Sequence, residues 1–303
     1  MRERSKFTSV NSIKFNQQFK TDVDCYEYLS KIKWDEGTYQ CIKCSYKKYC
    51  QGKKPFSRRC IRCRYDESPT AGTMFDKCKF SLLIAFHIAF KISSKKKGMS
   101  SLELSNEFEL RQMTCWGFKW KIQQAMQSSK KYPLDGEVHV DEFFIGGPEE
   151  QKPGRSKGQK RLVVIALEKV HGGVGRAYAK VIEGGAAKDF RPFFKDSISS
   201  NASVITDAWA GYAPLKKQYA KLKQIPSNDG KNFPELHIHI MNLKGWLRGI
   251  HHHCSKERLQ GYLDEYHFRY NRRNNLDTIF DVLIRRMVKG SPTRFGNGFD
   301  SDT

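Results

Sequence analysis

The sequence predicts a mixed α/β protein in which a small cysteine-rich module and a helical segment precede the sheet. Three observations support this class. Two close cysteine pairs lie between Cys41 and Cys63, apolar side chains follow helical spacing over residues 80–128, and β-branched runs begin after Gly136. A chain of 303 residues is long enough to bury a core of its own beyond such a module.

Net charge is the most distinctive bulk property of the sequence. The chain holds 54 Lys and Arg against 32 Asp and Glu, a formal net charge of +22. Residues 1–140 carry +13 (27 basic less 14 acidic) and the rest +9 (27 less 18), so the excess is not one basic tail. Nucleic acid is the expected partner, and a basic protein without a specific partner is the alternative.

Hydropathy argues against a membrane protein. No apolar run reaches the roughly 20 residues that cross a bilayer, and the best, residues 82–90, includes a histidine. The first residues show no apolar stretch behind their charges, so no secretory signal is expected. We therefore expect a cytoplasmic protein without a membrane partner.

The cysteine spacing predicts a zinc ribbon. Cys41 and Cys44 are separated by fifteen residues from Cys60 and Cys63, and two short knuckles of this kind place four thiolates around one tetrahedral Zn²⁺. Two disulfides are the rival interpretation, which a reducing compartment disfavours. Cys50, between the pairs, is the nearest alternative ligand.

The ribbon is also predicted to contact DNA. Residues 41–64 hold nine Lys and Arg and no acidic residue, and cations along a hairpin can neutralise phosphates. A structural ribbon whose charges are only solvated is the alternative. The predicted contacts in this segment are Lys53, Lys54, Arg58 and Arg59.

Residues 80–128 are predicted to be helical. Ser100 and Glu103 form a capping box that opens one helix, and Thr114 is the predicted N-cap of the next. Two helices joined by a short turn resemble a helix-turn-helix. A helical linker without DNA contacts is an equally good interpretation.

Strand patterns begin after Gly136 and predict an RNase H-like sheet. The predicted order of elements fits this topology: three antiparallel strands, a crossover helix, a further strand, and then helices from about His237 to Met287. The predicted elements are strands over 137–145, 161–169, 176–182 and 203–207, and a helix over 186–197.

Two aspartates in this predicted sheet are candidate metal ligands. Asp141 lies in the first strand and Asp207 ends the fourth, and these strands are neighbours in the RNase H topology. A buried carboxylate is costly unless it is paired or bound to metal. We predict that both hold Mg²⁺ (or Mn²⁺) for phosphodiester chemistry, although surface aspartates at strand ends are common.

A later helix supplies the predicted third group. His237 and Lys244 are seven residues apart and so lie on one helical face, where one can reach metal and the other a phosphate. A core histidine is the alternative for His237. The histidines at 251–253 point in different directions and are predicted to be a helix end or DNA contacts.

Taken in order, the motifs resemble the ISXO2-like transposases of bacterial insertion sequences, within the DDE superfamily. The resemblance covers about residues 25–290. It depends on the four-cysteine ribbon and on residues 71–75 (AGTMF), 140–147 (VDEFFIGG), 206–212 (TDAWAGY), 242–249 (NLKGWLRG) and 259–273 (LQGYLDEYHFRYNRR).

The resemblance implies a Mg²⁺-dependent transposase acting on double-stranded DNA. Such an enzyme binds the terminal inverted repeats of its element, cleaves there and joins the ends to target DNA, as a homodimer or larger synaptic complex at the nucleoid. A catalytically silent DNA-binding regulator and an RNase H-like nuclease without strand transfer are the alternatives.

The resemblance also implies the catalytic residues. Asp141 and Asp207 fill the first two positions. The family's third position is Glu, Asn or His, and a Lys follows it seven residues later. His237 and Lys244 match this third position and its Lys. Because imidazole is a neutral and softer ligand than a carboxylate, this departure from the plain DDE pattern affects the expected metal stoichiometry.

A basic loop after the first catalytic strand is predicted to reach DNA, with a solvated hairpin tip as the alternative. Its predicted contacts are Arg155, Lys157, Lys160 and Arg161. The predicted domains are the ribbon segment over 1–78, a helical region over 79–133, the RNase H-like catalytic domain over 134–290 and a flexible tail over 291–303.

Overall fold

The chain folds into two compact units, one formed by residues 1–126 with 274–303 and the other by residues 127–273. The computed structural model describes residues 6–35, 39–146, 160–251 and 254–291. Within those ranges no helix is both long and apolar enough to cross a membrane.

The first unit combines helices with a small antiparallel sheet. Its sheet has the order β1–β2–β3, and three further helices follow it in the sequence. The elements are α1 (Ser12–Gln18), α2 (Asp22–Lys33), β1 (Tyr49–Gln51), β2 (Arg58–Cys60), β3 (Asp66–Glu67), α3 (Leu82–Ser94), α4 (Ser101–Phe108) and α5 (Gln112–Met126).

The predicted pair of helices is present, with one correction at its second start. Ser100 and Glu103 form the predicted capping box at the start of α4, and Glu109 turns the chain in a left-handed conformation (φ 51°). The N-cap prediction at Thr114 is wrong, because α5 already begins at Gln112. The backbone N–H of Thr114 donates to Arg111 O at 2.8 Å and is thus part of the first helical turn.

The second unit has the predicted RNase H-like sheet. Its strand order is β6–β5–β4–β7–β8, in which β4, β5 and β6 are antiparallel neighbours while β7 and β8 run parallel to β4. The elements are β4 (Glu137–Ile145), β5 (Arg161–Val170), β6 (Gly173–Ile182), α6 (Ala187–Ser197), β7 (Ser203–Thr206), β8 (Lys223–Gln224), α7 (Pro234–Ile250) and α8 (Lys256–Tyr270), with short 3₁₀ helices over Ser129–Lys131 and Ala210–Lys217.

Both faces of this sheet are covered by helices. Because strand side chains alternate between faces, Val138 and Val140 pack with α6 and the 3₁₀ helix after β7, whereas Phe143 packs with α7 and α8. Asp141 lies on the same face as Phe143. The two cores therefore fix β4 at the centre of the sheet, between helices on either side.

The last helix, α9 (Ile279–Lys289), follows a 3₁₀ turn over Leu276–Thr278 and packs in the first unit. The ring of Phe280 contacts five other phenylalanines of that unit, and Tyr28 and Arg285 both donate hydrogen bonds to Asp281. This helix was predicted to belong to the 134–290 domain, whereas its contacts are with the first unit. The rings around Phe280 are Phe7, Phe15, Phe19, Phe86 and Phe90.

Candidate functional site

The pairing of β4 with β7 brings the two predicted aspartates together. These strands are parallel, with Val140 opposite Thr206, so the next residue of each chain segment, Asp141 and Asp207, lies at the same level of the sheet. The backbone N–H of Trp209 donates to Asp207 Oδ1 at 3.1 Å. This bond holds the Asp207 carboxylate at the end of the strand.

Glu142 is a third carboxylate at this place. One oxygen each of Asp141, Glu142 and Asp207 lies within 4.8 Å of the others, and all three residues are half-buried. Three oxygen ligands at this separation form a donor set that suits a hard divalent cation. We call Asp141, Glu142 and Asp207 the carboxylate cluster.

A buried tyrosine orients Glu142. The Tyr212 hydroxyl donates to Glu142 Oε2 at 2.6 Å, and its side chain is fully buried. Burial, together with the Glu142 charge, raises the pKa of Tyr212 well above its usual range, so the phenol stays protonated and remains a donor. Tyr212 thus supports one side of the carboxylate cluster.

Removing this hydroxyl should weaken metal binding without unfolding the protein. Tyr212→Phe keeps the ring that stacks on Phe190 and leaves Glu142 without its donor. Partners of metal ligands typically contribute about 10- to 100-fold in affinity or activity, and we expect a loss of that size in Mg²⁺ affinity, measured by calorimetric titration. Tyr219→Phe is the control, because the buried Tyr219 hydroxyl donates to the Ile198 carbonyl rather than to a carboxylate. An unchanged Mg²⁺ affinity in Tyr212→Phe would contradict the role of Tyr212.

Helix α7 places His237 beside the carboxylate cluster. His237 Nε2 lies 3.4 Å from Asp141 Oδ2. This nitrogen is buried and makes no hydrogen bond within the part of the chain that the structure describes. A buried nitrogen next to a carboxylate and lacking a hydrogen bond is suited to bind a metal or a substrate group.

Lys244 lies two turns further along the same face of α7. Its Nζ is 5.1 Å from the centre of the Phe143 ring. Burial is the main cause of a lowered pKa at Lys244, and the positive charge of Arg248 lowers this pKa further. The Asp141 carboxylate acts in the opposite direction and raises it. Because Phe143 and Asp141 lie on the same face of β4, the contact with Phe143 places Lys244 on the sheet face of Asp141.

His239 belongs to the core rather than to the carboxylate cluster. It is 3% exposed, and its Nε2 lies 3.2 Å from Nε2 of His267 on α8. Burial lowers the pKa of His239 to about 2 and that of His267 to about 4, so both imidazoles are neutral near pH 7. His239 therefore joins α7 to α8.

The four predicted cysteines converge in the first unit. Sulfur atoms of Cys41 and Cys63 are 3.5 Å apart and those of Cys44 and Cys60 are 3.6 Å apart, and all four lie within 4.8 Å of one another. Tetrahedral zinc with Zn–S bonds of about 2.3 Å separates its sulfurs by about 3.8 Å. The cluster therefore has the dimensions of a structural zinc site.

The two knuckles repeat one backbone pattern. Ser45 N–H donates to Cys41 O at 2.8 Å and Arg64 N–H donates to Cys60 O at 3.0 Å, with both donors in the left-handed region. Although burial opposes it, backbone N–H groups of Lys43 and Cys44 lower the pKa of Cys41 to about 7. Such amides stabilise the thiolate that zinc requires.

Arg58 has a different environment from the other predicted DNA contacts. Its guanidinium lies over the rings of Trp34, Tyr39 and Tyr49, at 4.7, 5.8 and 4.0 Å from their centres. One of its terminal nitrogens is buried. This stacking gives Arg58 a role in packing the ribbon.

The remaining predicted contacts are distributed as follows. Lys53 and Lys54 are exposed in the turn between β1 and β2, and Arg59 is half-buried with its Nε 3.7 Å from Asp66. Lys160 and Arg161 are half-buried at the start of β5. The predicted contacts that lie outside the described residues are Arg155 and Lys157.

The fold and the carboxylate cluster together define an RNase H-like domain with a site suited to divalent cations. Residues 133–271 match the family model of the ISXO2-like transposase domain, so this segment of the chain is similar to that domain. The predicted resemblance is confirmed for this part of the sequence.

Two solved structures of the Mos1 transposase are also similar to the chain. A pre-cleavage Mos1 transpososome matches with a TM-score of 0.29 and 10% identity, covering 65% of this chain and 76% of that chain. A Mos1 transposase paired-end complex with the left transposon end matches with a TM-score of 0.23 and 12% identity, covering 60% and 75%. No curated protein sequence matches this one.

Proposed function

We propose that the protein is an insertion-sequence transposase, which binds the terminal inverted repeats of its element and catalyses DNA cleavage and strand transfer. The observation that carries the proposal is the carboxylate cluster, whose oxygens lie within 4.8 Å of one another. All three residues belong to the segment that matches the ISXO2-like transposase domain. The net charge of +22 supports a polyanionic substrate.

Two kinds of metal fit the side chains of this chain. The carboxylate cluster would hold Mg²⁺ or Mn²⁺, which prefer oxygen ligands, and the four cysteines would hold structural Zn²⁺. In a phosphodiester reaction, divalent cations activate the attacking oxygen and stabilise the leaving one.

The protein's own groups act on the DNA around these carboxylates. The Lys244 ammonium, on the face of α7 that carries His237, would bind a phosphate oxygen near the reacting bond. His237 would complete the site, next to Asp141. The exposed Lys53 and Lys54 would neutralise phosphates of the element end.

Strand transfer requires two element ends in one complex, so we propose a homodimer or larger synaptic assembly. Each protomer would hold one end through its ribbon and present that end to a carboxylate cluster. The substrate is double-stranded DNA, and the enzyme would act at the nucleoid of a bacterial cell.

The roles of the two nearby histidines can be separated by mutation. His237→Ala should lower cleavage at least about 10-fold and leave the free energy of unfolding nearly unchanged, because this imidazole serves the site. His239→Ala should cost about 1–3 kcal/mol of stability, since His267 loses its buried partner, and should cleave at a near-normal rate once folded.

Cleavage rates and denaturant unfolding of both variants test this assignment. His237→Glu, which restores an oxygen ligand, should retain more activity than His237→Ala. If His237→Ala cleaves like the wild type while folded His239→Ala does not cleave, the assignment of both His237 and Lys244 to the site is wrong.

The proposed function is tested by cleavage of the DNA that flanks the gene. A labelled duplex from each flank, incubated with the protein and Mg²⁺, should be cut at one position, where an inverted repeat meets the flanking sequence. Specific binding without cleavage would favour the silent regulator instead.

A further inference from the structure

Trp209 lies beside the carboxylate cluster and presents an aromatic surface to solvent. It stands two residues after Asp207 and donates its backbone N–H to that carboxylate at 3.1 Å. Trp209 is 38% exposed, so part of its ring is open to a ligand.

The Trp209 ring is held in one position. Its indole Nε1–H donates to Gly185 O at 2.7 Å, and Gln224 Nε2 donates to the Trp209 carbonyl at 2.8 Å. These two bonds fix the ring edge and the backbone independently. An aromatic residue fixed in this way loses little conformational entropy when a ligand packs on it.

Close packing around the indole requires glycine at position 211 and leaves little room for a side chain at position 185. A Cβ at Gly211 would lie 2.2 Å from Gly185 O and 2.7 Å from Trp209 Nε1. A Cβ at Gly185 would lie 3.2 Å from the same indole nitrogen. The loop before α6 and the start of the 3₁₀ helix thus form a close-fitting support for the ring edge.

We propose that Trp209 is a base-stacking platform, which receives an unpaired nucleobase next to the scissile phosphate. The inference depends on the proposed function, since it assumes that DNA reaches the carboxylate cluster. Exposed aromatic side chains bind unpaired bases by stacking whatever their sequence. A base stacked on Trp209 would lie close to the phosphate that Asp207 serves and would fix that phosphate in the site.

The test uses two labelled DNA duplexes with the same paired sequence, one blunt and one with a short single-stranded tail, without divalent metal. The wild type should bind the tailed duplex more tightly. Trp209→Ala should weaken binding to the tailed duplex roughly 5- to 150-fold and leave the blunt duplex unaffected. Trp209→Phe should retain most of the preference, because it keeps an aromatic ring while losing the bond to Gly185.

An abasic scan of the tail tests the contact from the DNA side with the wild-type protein. One abasic position should weaken wild-type binding about as much as Trp209→Ala does, and the two changes together should not add, because they remove the same contact. Additive losses, or no sensitive position in the tail, would overturn the inference. If the wild type transfers strands and Trp209→Ala still prefers the tailed duplex, only the stacking role of Trp209 is wrong. If the wild type binds neither duplex, both the stacking role and the proposed function are wrong.

Discussion

Asparagine at either aspartate of the carboxylate cluster should give a protein that folds and binds DNA but does not cut it. Asp141→Asn and Asp207→Asn nearly preserve side-chain volume and remove the charge that a divalent cation needs. Loss of a group that only supports a ligand costs about 10- to 100-fold. We therefore expect the single-turnover cleavage rate to fall by more than about 100-fold in each variant.

Asp135→Asn is the matched control for these variants. Asp135 is exposed just before β4 and lies outside the carboxylate cluster, so its variant should cleave like the wild type. Circular dichroism should show the same fold in all three proteins. Normal cleavage by Asp207→Asn would remove that residue from the catalytic set.

Serine at Cys60 should release the zinc and unfold the ribbon. The ribbon strands have only three, three and two residues, too few to hold a core without metal. Structural zinc sites contribute about 10–16 kcal/mol of apparent binding free energy in zinc-finger peptides. Elemental analysis should find the bound zinc lost, and limited proteolysis should cut within residues 41–65 while residues 127–273 stay resistant.

Cys50→Ser provides the comparison for the zinc prediction. Cys50 is exposed on β1 and lies outside the four-cysteine cluster, so this variant should keep its zinc and its DNA binding. Cys60→Ser should bind DNA ends much more weakly, because the ribbon cations lose their arrangement. A full equivalent of zinc in Cys60→Ser would contradict the assignment of the site.

The sequence predicted the parts of the structure that depend on local pattern. The alternation of apolar and polar residues predicted the strands around Asp141 and Asp207. The capping box predicted the start of α4, and the cysteine spacing predicted the four-sulfur cluster. Each of these signals involves residues that are close in sequence or follow a fixed period.

Features that depend on tertiary packing could not be predicted in this way. Phe280 packs on rings near the N-terminus, and no periodicity in α9 specifies a partner so distant in sequence. Glu142 could not be predicted from the strand pattern, because adjacent residues of a strand point to opposite faces. Asp207 lies just beyond the end of β7, where both carboxylates come within 4.8 Å of it. The stacking of Arg58 on the rings of Trp34 and Tyr49 also depends on tertiary packing, and its predicted contact with DNA stays a prediction.

The most direct test of the proposed transposase is strand transfer into a supercoiled plasmid. The reaction contains the wild-type protein, Mg²⁺ and a labelled duplex that ends in the inverted repeat from the gene's own flank. We predict that the label becomes covalently joined to the plasmid through the 3′ end of the repeat, and that Asp141→Asn forms no such product. The contrary result is a duplex that is cut but never joined to the plasmid, although both DNAs are bound. That result would contradict the proposed strand transfer and identify the protein as a nuclease.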